Sequence, residues 1–320
     1  MLAVHLTVDV EVWCEDWLKL DAQFPAAFDR YVYGRTARGD YGLPYQLRLL
    51  NEHGLKACFF VEQLFSLRFG ESYLREIVAL IQGAGQEVQL HLHPEWVDEI
   101  EPSPLPMAGV KRPLLRQFTL DEQLHLIALG KRLLEQAGVN QVKAFRAGSF
   151  GFNADTLTAL VANGIAIDAS YNATMFGPDS GVGGGQTLLG PISVDGVLEL
   201  PMAVYRDGLG RLRHVQMGAT SWSEMERLLW QAAEQAWPAF VILSHNFELM
   251  NQAKNAPDPV VVDRMQRLCA FLEKHRDRFG TPRLGDAGMP RQPAPLQPLS
   301  ASVLNSLGRI AEQAGRRRFG

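Results

Sequence analysis

LAVHLTVDVEVW, residues 2–13, alternates Val4, Leu6, Val8 and Val10 with His5, Thr7, Asp9 and Glu11. Side chains at i and i+2 share one face of a strand, so this is a first β-strand over about Leu2 to Val10, with its polar residues on one side. The apolar run is broken at every second position and lacks a basic segment before it, so it does not read as a secretory leader.

Outward from that strand, strands and helices alternate. The spacing predicts strands at Lys56–Glu62, Gln86–Leu92, Val142–Ala147, Ile165–Ser170, Val197–Tyr205 and Ala239–Ser244. Helices are expected at Leu43–His53, Glu71–Ala84, Thr119–Ala137, Asn153–Asn163, Ser221–Trp237 and Pro259–His275. Thr119 with Glu122, and Ser221 with Glu224, have the spacing of capping boxes, and Gly138 ends the longest helix. Strands alternating with helices imply α/β, a parallel sheet with helical crossovers. About seven strands with polar residues at many of their ends fit a barrel better than an open sheet with one switch point. The stretch 14–42 reads as an aromatic and charged loop, and 171–195, with GVGGG at 181–185, as a flexible one.

One barrel domain is expected over 1–280. Residues 281–320 read as a linker carrying Pro282, Pro290, Pro293, Pro295 and Pro298, then a short amphipathic helix over Ser302–Gln313 and a basic end at Arg316, Arg317 and Arg318. That end is expected to be a solvated tail, with weak membrane-surface or partner binding as the other reading.

The chain has 320 residues, 47% hydrophobic, with a net charge of −4. That composition supports a full core and gives no basic face for nucleic acid. Cys14, Cys58 and Cys269 are isolated, so neither a disulfide framework nor a cysteine zinc cluster is expected, and a reduced, cytoplasmic setting follows. No stretch reaches the ~18 apolar residues of a membrane span.

Ionisable residues collect at predicted strand ends: Asp9 and Glu11, His91 and His93, Arg146, His245. A β/α barrel opens its active site at those C-terminal ends. Two imidazoles and a carboxylate suit a divalent metal, zinc above all, and a second carboxylate nearby suits a general base on water. Trp13, Trp17 and Trp96 follow these residues and could stack on sugar rings or pack beneath the rim loops.

TVDVE (7–11), KACFFVE (56–62), HLHP (91–94), FRAGSFG (145–151) and ILSH (242–245) resemble, in order, the motifs of the polysaccharide deacetylases, the carbohydrate esterases of family 4 with the NodB-homology fold. The resemblance implies a distorted (β/α)7 barrel that removes acetyl groups from N-acetylated sugars of a polysaccharide or glycoconjugate with one divalent metal. It makes Asp9 the general base, Arg146 its partner, His245 the acid that protonates the leaving amine, and Leu243 part of the acetyl pocket. The family's second aspartate, a metal ligand, is replaced by Val10, so Glu11 is the substitute ligand beside His91 and His93. The two histidines stand two residues apart, not the usual four, and Glu95 is a reserve ligand. The backbone N–H of Tyr171, or of a neighbour, is the expected oxyanion donor. These departures leave open a metal-independent, allantoinase-like C–N hydrolase, and a catalytically silent saccharide-binding protein.

Overall fold

The computed structural model describes residues 1–106, 110–288 and 296–319; Pro290, Pro293 and Pro295 of the expected linker lie outside them. The chain divides into two compact units, one of Met1–Ala57, Ala203–Arg283 and Pro293–Gly320, the other of Cys58–Met202 and Leu284–Gln292.

In the first unit, Leu2–Val10 pairs in parallel with Ala239–His245, from Ala3 opposite Ala239 to Asp9 opposite His245. Both strands are almost wholly buried, which explains their apolar content. Helix Trp222–Glu234 begins at the capping box of Ser221 and Glu224, and Pro259–Lys274 begins at Asp258, whose carboxylate accepts from Val260 N–H and Val261 N–H. An antiparallel hairpin, Val204–Arg206 with Leu212–His214, is joined by Leu299–Ser300. The C-terminal helix runs Val303–Phe319, longer than expected.

In the second unit, the strand Ala57–Glu62 from Cys58 onward, then Glu87–Leu92, Ala144–Ala147, Ile167–Asp168 and Val197–Glu199 pair in parallel in that order, with Ile192–Val194 antiparallel at the edge. Helix Leu120–Gln136 starts at the predicted box of Thr119 and Glu122. The α/β class, with parallel strands, holds in both units.

Two expectations about local structure fail for identifiable reasons. Residues Leu20–Phe28 form a helix rather than a loop. Pro25 lies inside it, which argues against a helix in sequence, but Leu20, Phe24, Ala27 and Phe28 share one buried face that outweighs it. The expected strand Val197–Tyr205 is two strands, Val197–Glu199 and Val204–Arg206. Pro201 lies between them and has no N–H for a continuous ladder.

Candidate active site

Of the residues singled out in the sequence, the first unit holds Asp9, Glu11, Trp13, Leu243 and His245. Asp9 and His245 are register partners at the ends of paired strands, and Leu243, two residues earlier, shares the face of His245 and is buried. Oxygen and nitrogen atoms of Asp9, Glu11 and His245 all lie within 4.8 Å of one another. Asn246 fixes the turn beyond the strands. Its side chain accepts from Glu11 N–H (3.0 Å) and donates to Glu11 C=O (3.1 Å), while its own N–H donates to Asp9 C=O (3.1 Å). The Trp13 indole donates to the Glu11 carboxylate at 2.6 Å, so this tryptophan orients a carboxylate as well as meeting Trp17 edge to face.

A residue that sequence reasoning missed anchors the histidine. Glu248 Oε2 receives His245 N–H (2.9 Å) and lies 3.2 Å from His245 Nδ1. Its other oxygen receives Gly218 N–H (2.7 Å) and the Gln216 amide (2.8 Å). A carboxylate held by four donors is fixed in place, and it fixes the imidazole in turn. Burial lowers the His245 pKa, but the Glu248 hydrogen bond and the charges of Glu11, Glu248 and Asp9 outweigh it and raise the pKa to about 9. At neutral pH the ring is therefore an imidazolium. His5, deeper on the same strand face, shows the opposite balance: burial brings it to about 4, a neutral core histidine.

The second unit holds His91, His93, Glu95, Trp96, Arg146 and Tyr171. The two histidine rings stand edge to face, centroids 4.8 Å apart, and both are buried. His91 Nδ1 lies 2.8 Å from the Arg146 carbonyl, which can only accept, so Nδ1 carries the proton and Nε2 the lone pair. His93 Nδ1 faces the Glu95 carboxylate at 3.2 Å, which sets the same tautomer. Glu95, the reserve ligand, is thus a partner of His93. Close packing fixes the ring further: a Cβ at Gly148 would stand 2.6 Å from His93 Nδ1. The next two residues, Ser149 and Phe150, have positive φ, a strained turn of the sort found where a loop serves a site.

Arg146 is fully buried, with Nε donating to Ala169 C=O (3.1 Å) and its guanidinium 4.3 Å from the Phe60 ring centre. Near it lies a pair that no sequence pattern announced. Asp168 and Glu199 are cross-strand neighbours, both fully buried. Burial lifts Asp168 to about 6 and, with the charge of Asp168, lifts Glu199 well above its ordinary value, so the two carboxyls hold a proton between them. Glu199 Oε1 takes the Tyr171 N–H at 3.1 Å, which commits to an internal hydrogen bond the donor expected at an oxyanion. The Tyr171 ring is buried too, its hydroxyl donating to Gln186 C=O and so tying down the glycine-rich segment. Trp96 is 1% exposed and packs edge to face on Phe65 and Phe69. It is part of the core of the second unit, with Pro94 and Val97 of the same turn buried beside it in sequence.

No protein-family model matches the chain, and no curated protein matches it. Solved structures do. A Mycobacterium smegmatis protein described as a polysaccharide deacetylase superposes over 88% of this chain and 86% of its own, at 18% identity and a TM-score of 0.52. A family 4 carbohydrate esterase from Streptomyces lividans, solved with acetate, matches 90% of this chain and 98% of its own at 14% identity, TM-score 0.42. A family 4 pseudoenzyme from Bacillus anthracis matches 87% and 63%, also at 14%, TM-score 0.41. The fold is the α/β fold of the polysaccharide deacetylases, as the motif order implied. The Mycobacterium protein carries that likeness, which at such identity is one of fold and not of activity.

Proposed function

We propose that this protein is a metal-dependent deacetylase of N-acetylated sugars in a polysaccharide or glycoconjugate. The observation that carries the reading is the register of Asp9 beside His245, a carboxylate next to an imidazole held protonated by Glu248. That is a base and an acid placed together, which amide hydrolysis requires.

Glu11, His91 and His93 are assigned to one divalent cation. The donor chemistry fits: both histidines have Nδ1 engaged and the lone pair on Nε2, and Glu11 is fixed by Trp13 and by Asn246. One carboxylate and two imidazoles suit zinc. When bound, such a metal supplies Lewis acidity toward the acetyl carbonyl and makes water more acidic. The chain's own residues do the rest. Asp9 takes a proton from the attacking water. His245 gives its proton to the nitrogen as the C–N bond breaks, so acetate and a free amine leave. Leu243 offers apolar surface to the acetyl methyl group. Arg146 keeps the role that the resemblance gives it, partner to Asp9.

Acetate release from N-acetylglucosamine oligomers tests the reading. Release is expected, lost on chelation and restored by zinc. Release that survives chelation would instead make this a metal-independent amidase. Oligomer binding without release would make it a saccharide-binding protein.

Glu248→Gln gives a second expectation. A histidine with a raised pKa stays protonated, and competent as an acid, until pH climbs through that pKa. Removing the Glu248 charge removes the largest support for the raised value, so the alkaline limb of kcat moves to lower pH while the acid limb stays. A pH–rate profile measures this. An unmoved alkaline limb would separate Glu248 from the proton transfer.

A further inference from the structure

The C-terminal helix Val303–Phe319 is amphipathic in the reverse of the usual sense. The face packed on the first unit is polar. Ser306 is buried, with its hydroxyl on Glu224 (3.1 Å), and Arg309 is 3% exposed, bridging Glu224 (3.1 Å) and Asp207 (3.0 Å). Glu312 pairs with Arg264 and Arg316 with Asp258 on the same side. The face turned to solvent is apolar: Val303 is 52% exposed, Leu304 80%, Leu307 50% and Ile310 41%. Gly308, Ala311 and Ala314 complete it, so from 303 to 314 the outward positions bear no charge. A helix packed on a domain ordinarily buries such a stripe. Left outward and contiguous, it marks a surface that something covers.

The neighbouring hairpin extends the patch. Gly208 N–H donates to Ser306 Oγ (2.9 Å), which holds the hairpin tip against the start of the helix and leaves Leu209 53% exposed. Around that tip the sequence is RDGLGRLR, 206–213, with Arg206 and Arg211 exposed. Its one carboxylate, Asp207, is turned inward onto Arg309. The helix sequence itself ends in Arg316, Arg317 and Arg318.

We propose that this face docks on an anionic lipid surface, the apolar side chains entering the interface and the hairpin arginines meeting lipid phosphates. Two features favour lipid over a second protein. The first is charge complementarity, since exposed apolar residues with arginines and no outward acid make the two signals that together give stable attachment to a membrane surface. The second is extent: one helix face and a hairpin tip fall well short of the roughly 20–30 residues a side of a stable protein interface.

Flotation of the full chain with vesicles tests this. It should float with phosphatidylcholine vesicles that contain phosphatidylglycerol, less so in high salt, and poorly with phosphatidylcholine alone. Leu304→Ser with Leu307→Ser should lower the bound fraction by about tenfold or more, because two buried leucines are lost from the contact. The melting midpoint and acetate release should not change, since both side chains face outward. Arg206→Ser with Arg211→Ser should weaken binding to the anionic vesicles and remove its salt dependence. The proposal is overturned if the wild-type chain ignores anionic vesicles, or if the leucine variant binds as the wild type does. It is overturned equally if the wild type is a dimer in solution that the leucine variant dissolves, for then the face belongs to a second copy.

Discussion

Asp9→Asn is expected to lower kcat for acetate release by about 10²- to 10⁴-fold, the usual worth of a positioned general base. The substitution is close to isosteric. The Asp9 carbonyl would still accept from Asn246 N–H, and the register with His245 would be untouched. KM should therefore change little, the signature of an interaction made only in the transition state. The assignment of Glu11, His91 and His93 to the metal adds a second readout, because the variant should bind as much zinc as the wild type. Loss of zinc together with activity would make Asp9 a ligand and leave the base unassigned. The variant also removes one of the charges that raise His245, so any residual activity should fail at lower pH than in the wild type. Full turnover by Asp9→Asn would refute the base assignment outright.

Much of the strand parity and helix capping around the site is legible in the sequence. A two-residue period put Asp9 beside Glu11 and His91 beside His93, and each pair does lie together although Glu11 and His93 stand one residue past the ends of their strands. The capping boxes at Thr119 and Ser221 are local, and both formed as read. What was missed shares one property: its partner is distant, or it lies in a turn. Glu248 follows His245 by three residues, a spacing that signals nothing outside a helix. It became significant only when the turn brought it under the ring and Gln216 and Gly218 came in from another segment. Asp168 and Glu199 are 31 positions apart and meet only through strand pairing. Trp96 and Tyr171 sat near the motifs in sequence, yet aromatic residues beside a site have a core to fill as well, and these two fill it. The C-terminal helix formed where its amphipathic pattern put it, and longer. Its apolar stripe was visible in sequence, but which side faces in depended on two acids, Asp207 and Glu224, contributed by other elements.

Those acids set the last expectation, that Arg309→Met destabilises the chain by about 3–5 kcal/mol. Arg309 is 3% exposed in its side chain, Asp207 1% and Glu224 0%. Removing the cation leaves two carboxylates buried, each still tied to other donors: Asp207 to Leu209 N–H and Arg211 N–H, Glu224 to Ser221 and Ser306. They cannot turn out to water without giving up a hairpin and a helix cap. The cost is therefore that of uncompensated buried charge rather than of one lost ion pair. It corresponds to a fall of roughly 6–20 °C in the melting midpoint for a unit of this size. Arg267→Met is the internal control. Its pair with Asp263 is 57% exposed on each side and should shift the midpoint hardly at all. Arg309→Met with Glu224→Gln and Asp207→Asn should recover most of the loss, because neutral amides can stay buried where bare carboxylates cannot. If the single variant melts with the wild type, the carboxylates have found water or protons. The polar face of the helix would then not be what holds its apolar face outward.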